Sequence, residues 1–174
     1  TAPLAFLGSA YDQRLHQVYV ALSAASNPKT NILSALFGGS SMVDNAPLRA
    51  AIAQAVDHDI LEHVALEHRK GRRLYVGTTN LDAQRPVVWD IGAIANSNDP
   101  NRLELVRSVI LASASVPTIF DPVLLDVESD GQAYSEMHVD GGVTEQVLLM
   151  PGGWGKVGNG GNAQHPLAIH HRAS

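Results

Sequence analysis

The segment Glu136-Met-His-Val-Asp-Gly-Gly-Val-Thr144 constrains the chain more than any other. Tyr134 to Val139 reads as a short strand. A carboxylate at a strand end followed by two glycines lets the backbone turn sharply and leaves the acid exposed. Asp-Gly is also among the commonest turn dipeptides, so Asp140-Gly141 alone specifies only a turn. Two further stretches accompany it: Gly77-Thr-Thr-Asn-Leu-Asp82 and Ser113-Ala-Ser-Val-Pro-Thr-Ile-Phe120.

Helices must cover a sheet built on that strand, and the apolar spacing predicts where they lie. Thr1 to Leu7 reads as helix, with Pro3 tolerable in a first turn. Tyr11 to Ala24 has Leu15, Val18, Tyr19 and Leu22 at helical spacing. Asp44 or Asn45 is expected to cap one helix running from Pro47 to about His68, with Leu48, Ile52, Val56, Ile60, Leu61 and Val64 on its apolar face. Cations gather at its C-terminus in His68-Arg-Lys-Gly-Arg-Arg73, where Gly71 stops the helix, so this is a solvated helix end rather than a binding patch. Leu74 to Asn80 and Pro86 to Asp90 read as two strands of a hairpin, joined by Leu81 to Arg85. Asn101 to Ala114 predicts an amphipathic helix with Leu103, Val106, Val109, Ile110 and Ala114 on one side, and Pro122 to Val127 a further strand.

Composition narrows the function. At 174 residues and 45% hydrophobic the chain fits one globular domain. A net charge of −5 gives no basic footprint for nucleic acid. The absence of cysteine excludes disulfides, thiol catalysis and cysteine metal sites. No apolar run approaches a membrane span, and no secretory signal is visible in these residues.

In this order, Ala5-Phe6-Leu7-Gly8 with Tyr11-Asp12, Leu33-Ser-Ala-Leu-Phe-Gly38, Ala46-Pro-Leu-Arg49, Gly71-Arg-Arg-Leu74, Gly77-Thr-Thr-Asn-Leu-Asp82, Ser113-Ala-Ser-Val-Pro117 and His138-Val-Asp-Gly-Gly142 resemble the patatin-like acyl hydrolases. The resemblance runs from Thr1 to about Met150. It implies a three-layer α/β/α fold and a Ser-Asp dyad that cleaves lipid acyl esters. By that resemblance Asp140 is the catalytic base, while Gly141 and Gly142 let backbone and substrate approach. Asn80 and Asp82 then shape the wall of the site. The family also carries a glycine-rich oxyanion loop and a Gly-x-Ser-x-Gly elbow. Neither occurs in these residues, and Gly38-Gly-Ser-Ser-Met42 fails at its last position. The expectation is therefore a domain truncated at its N-terminus, with no nucleophile in this chain, inactive alone and prone to self-association through uncovered sheet edges. Implied partners are a lipid or ester substrate, with peripheral membrane contact. No cofactor and no metal are expected. A catalytically dead lipid-binding or scaffold protein is the alternative.

Rival chemistries are weaker. His58, His63 and His68 are five residues apart, so at about 100° per residue they cannot face one metal from a single helix. His138 and Asp140 share a strand face, which leaves a metal or a histidine-assisted base open. Asp126-x-Glu128-x-Asp130-Gly131 resembles the start of a calcium loop, but Met137 stands where a bidentate glutamate is needed. An N-terminal threonine nucleophile would start on a strand, whereas Thr1 begins an apparent helix. Residues 1–150 thus form the partial domain. Residues 151–174 read as a glycine-rich, flexible tail, whose Gly153-Trp-Gly155-Lys-Val-Gly158 fits a dinucleotide fingerprint without the surrounding βαβ unit.

Overall fold

The computed structural model describes residues 2–25, 45–117, 119–129 and 132–143. The loops expected at 27–30 and 38–41, the tail and its fingerprint lie outside these residues. The fold is α/β. Six helices are described: α1 (Ala2–Leu7), α2 (Asp12–Ala25), α3 (Ala46–Ala55), α4 (His58–Arg69), α5 (Ile91–Ala95) and α6 (Arg102–Ala114). Four strands, β1 (Tyr75–Asn80), β2 (Arg85–Asp90), β3 (Val123–Ser129) and β4 (Gln132–Asp140), pair antiparallel in the order β2-β1-β4-β3.

The expected single helix from Pro47 to His68 is two helices. Val56 and Asp57 leave the helical region, with φ,ψ of −123°, 93° and −104°, −175°. The apolar period runs through the break, so it carries no sign of it. Asp57 does: its Oδ1 accepts from the Ile60 amide at 3.0 Å and caps α4, while Oδ2 accepts from Arg14 Nη2 at 2.7 Å. A carboxylate that satisfies a helix N-terminus and a guanidinium outweighs one more turn of continuous helix. At α3 the cap position is as expected but the bond differs. Asn45 makes no side-chain cap; its Nδ2 donates to the Asp121 carbonyl at 3.0 Å.

Past α4 the chain leaves the helix at Gly71, whose φ of +97° lies in the left-handed region that glycine tolerates. The following cations are engaged rather than simply solvated. Arg72 donates to Glu67 and to the Phe6 carbonyl and lies 4.3 Å over the Phe6 ring, and Arg73 donates to the His68 carbonyl. These contacts hold α1 against the end of α4.

Helix α6 is the centre of the molecule. It packs on β1, β3 and β4 and also on α3 and α5, so it is buried on more than the one side its spacing suggests. Leu111 and Ala112 are buried along with Leu103, Val106, Val109 and Ile110, whereas Ala114 is exposed. On α2, Val18 is buried but Tyr19 points outward, 56% exposed. Cross-strand register puts Val76, Val87, Trp89, Val123, Leu125 and Val127 on one sheet face, where they join the helices in one core. Thr79, Val88 and Val139 on the opposite face are buried too, so the middle of the sheet is covered on both sides. Each such Val or Leu, fully withdrawn from water, stabilises by about 1.5–3 kcal/mol.

Candidate functional site

The two stretches that accompany the Asp-Gly-Gly segment converge on the β1–β4 seam. Thr78 pairs with Asp140, Thr79 with Val139 and Asn80 with His138. Asp140 ends β4 and is held by its backbone. Its amide donates to the Ser115 carbonyl at 3.0 Å, and its carbonyl accepts from Thr79 Oγ1 at 3.1 Å. Ser115 is the residue at which α6 ends, so the Ser113–Pro117 stretch anchors the acid by a carbonyl rather than by a hydroxyl. The Ser115 hydroxyl donates back to the Leu111 carbonyl at 2.8 Å and is fully buried, which leaves it no nucleophilic role.

The Asp140 side chain is half-buried. Its Oδ1 accepts from the Gly142 amide at 2.9 Å, and its Oδ2 has no hydrogen-bond partner among the described residues. A short 3₁₀ turn, Gly141–Val143, follows. The two glycines do different things, and neither adopts a left-handed φ. A Cβ on Gly141 would lie 2.8 Å from the Gly77 carbonyl oxygen, so β1 passes too close for any side chain. At Gly142 a Cβ would meet only Asp140 Oδ1, at 3.5 Å, an ordinary contact.

Two residues back on the same face, His138 is fully buried. Its Nδ1 lies 2.8 Å from Thr78 Oγ1 and its Nε2 3.1 Å from Glu136 Oε2. Trp89 Nε1 donates to Thr78 Oγ1 at 2.8 Å, and the indole meets the imidazole edge to face at 5.6 Å. The His138 ring nitrogens thus engage Thr78 and Glu136. Glu136 and Thr78 belong to this arrangement; both lie in the stretches singled out in the sequence, where neither has a role of its own. Their signal was the strand period, which puts Glu136, His138 and Asp140 on one face.

Asn80 and Asp82 shape the strand end. Asn80 Oδ1 accepts from the Ala83 amide at 2.8 Å and Asp82 Oδ2 from the Met137 amide at 2.7 Å, pinning the β1–β2 turn to β4. The Asn80 Nδ2 is buried without a partner among the described residues.

Among the described residues no group of three or more histidines and carboxylates is placed to hold a metal. Of the helical histidines, His63 Nδ1 lies 2.8 Å from the Asp59 carbonyl oxygen and His68 Nδ1 3.7 Å from Asp90 Oδ1. Burial pushes the His68 imidazole below its ordinary value of 6.5, helped by Arg73 and Arg69 and opposed by Asp90. Asp126 of the calcium-like stretch accepts from Ser135 Oγ across the β3–β4 hairpin at 2.6 Å. A cleft of about 330 Å³ is lined by Asp99, Glu104, Ser108 and Asp126 among others, but not by Asp140. Hydrogen-bonding geometry, not concavity, therefore marks the strand-end acid.

Asp140 is thus a strand-end carboxylate anchored by its backbone beside a tight glycine turn in an α/β domain. The family model for patatin-like phospholipases matches residues 3–151, and the chain belongs to that family. That family is one of lipid acyl hydrolases. No curated protein matches the sequence.

Proposed function

We propose that Asp140 is the general base of a Ser-Asp dyad that hydrolyses lipid acyl esters. One observation carries the reading: the Asp140 backbone is fixed by Ser115 and Thr79 while Oδ2 is left without a hydrogen-bond partner among the described residues. A base needs both a fixed position and a free lone pair. The Gly142 amide steadies the other oxygen, and Gly141 lets the turn close against β1. The attacking serine belongs to a Gly-x-Ser-x-Gly elbow, which these residues do not contain. Asp140 would take the proton from its hydroxyl as the oxygen attacks the acyl carbonyl. Oxyanion donors from the glycine-rich loop would stabilise the charge that forms.

Residues 1–174 by themselves are expected to turn over short aryl esters no faster than their Asp140→Asn variant. Supplied with a segment bearing the oxyanion loop and elbow, the chain should hydrolyse them, and Asp140→Asn should remove nearly all of that activity. Wild-type rates in the restored Asp140→Asn protein would overturn the base assignment. Turnover by the bare chain that Asp140→Asn abolishes would place the nucleophile among the serines present here.

A further inference from the structure

We infer that Asn80 and Arg85 form an anion-binding site, at the turn end of the β1–β2 hairpin, that takes a phosphate group. The inference does not depend on the role of Asp140. The two residues are directly opposed in the β1–β2 ladder, so their side chains leave the same face of the sheet. Each carries a buried hydrogen-bond donor with no partner among the described residues: Asn80 Nδ2 and Arg85 Nε. Asn80 is fully buried, and Arg85 is half-buried. A buried donor left unmatched costs about 1–3 kcal/mol, and folded proteins keep few of them. Two on neighbouring residues, one of them charged, call for one shared acceptor.

The orientation of the Asn80 amide is fixed locally. Its Oδ1 accepts from the Ala83 amide at 2.8 Å, so turning the side chain over would set two donors against each other. The acids close by in the sheet are already in use. Asp82 Oδ2 accepts from the Met137 amide, and Glu136 Oε2 lies 3.1 Å from His138 Nε2. Arg14, Arg72, Arg102 and Arg107 each meet a carboxylate, whereas no ion pair reaches Arg85 among the described residues. Its guanidinium thus stands half-buried without a counter-charge, which is costly unless a ligand supplies one.

The donors set the chemistry of the ligand. Water could accept from both, but it brings two protons of its own and no charge. An oxyanion accepts without donating and neutralises the guanidinium. On a guanidinium the Nε–H runs parallel to a neighbouring Nη–H, and this fork takes two oxygens of one anion. Asn80 adds a third donor from the adjacent strand. Cβ atoms of directly opposed residues lie about 4.5–5.5 Å apart, and an anion held by hydrogen bonds of about 2.9 Å spans donors at that separation. Three donors from two strands match the oxygens of a tetrahedral phosphate, whereas a carboxylate offers only two. Because Arg85 is partly exposed and Asn80 is not, the anion meets solvent on the Arg85 side.

The test is a titration of the whole chain with inorganic phosphate at constant ionic strength, followed by nuclear magnetic resonance of the Asn80 side-chain amide and the Arg85 Nε–H. Both signals are expected to shift together and to saturate. Asn80→Asp keeps the acceptor for the Ala83 amide but exchanges the donor for a carboxylate, and Arg85→Gln removes the charge. Each should weaken phosphate binding by about tenfold or more. Arg85→Lys, which keeps the charge without the fork, should weaken it less than Arg85→Gln. If Asn80→Asp does not fold, Arg85→Gln, at the half-buried position, decides. A second arm identifies the source of the phosphate. Dihexanoyl phosphatidylglycerol below its micelle concentration should displace inorganic phosphate if the site serves a lipid headgroup, and leave it bound if the ligand is free phosphate. Signals that move with neither probe, that move without saturating, or an Asn80 signal that moves equally in Arg85→Gln would overturn the site and leave a buried water as the acceptor.

Discussion

His138 and Asp140 stand two residues apart on one face of one strand, yet their surroundings are opposite. His138 is fully enclosed, and each ring nitrogen has a partner. Asp140 is half-buried, bound through its backbone, and keeps Oδ2 without a described partner. The difference arises where the sheet ends: Glu136 and His138 are buried under α6 and the neighbouring strands, whereas Gly142 and Val143 of the turn are exposed. A strand can thus carry a closed polar network and an open acid within about 7 Å of chain.

The largest effect that should separate the two positions is on activity. In a protein that carries the elbow serine, Asp140→Asn is expected to lower ester turnover by about 10²–10⁴. Its melting temperature should stay close to wild type, because the anchoring bonds use the backbone. A melting temperature many degrees lower would make Asp140 as structural as His138. The converse belongs to His138→Leu, which leaves the Glu136 carboxylate buried without its ring donor and should lower stability by about 3 kcal/mol in denaturant titrations. A stability change near zero would mean that Glu136 finds water or another partner.

The adjacent glycines sharpen the same contrast on a smaller scale. Gly141→Ala would press a methyl against the Gly77 carbonyl and should destabilise by about 1–3 kcal/mol. Gly142→Ala meets ordinary space, so its effect should stay within about 0.5 kcal/mol. Equal losses at both positions would show that the turn, and not the approach to β1, sets the need for glycine.

The smallest effect concerns a histidine outside the seam. The folded His68 imidazole binds a proton less readily than its ordinary value of 6.5 allows. Below about that pH the unfolded chain takes up the proton first, so stability should fall as pH drops through this window and level off below the folded midpoint. His68→Gln should flatten that part of the profile in thermal melts between pH 7 and 5. A slope unchanged by the substitution would assign it to other groups.

Much of this was legible in the sequence. The β1–β2 hairpin, α6 and the strand leading to Asp140 follow from alternation, helical spacing and turn residues, because each is a local pattern. The break at Asp57 was not legible, since the apolar spacing continues from Ile52 through Val56 to Ile60 and the deciding bond comes from Arg14, 43 residues away. Helix α5 spans only five residues, too few to show a period. Thr78 and Trp89 could not be joined to His138 because that contact needs the β1–β4 register, 60 residues apart in the chain.

The strand order has a kinetic consequence. The β1–β2 and β3–β4 ladders are hairpins that close short loops, whereas the β1–β4 seam has three register pairs and joins distant segments. Closing a long loop costs more entropy before any contact repays it, so the hairpins should form early and the seam late. Asp140 lies on that seam. The acid is therefore set in place only when the rest of the sheet is already assembled, and a partly folded chain does not yet hold it there.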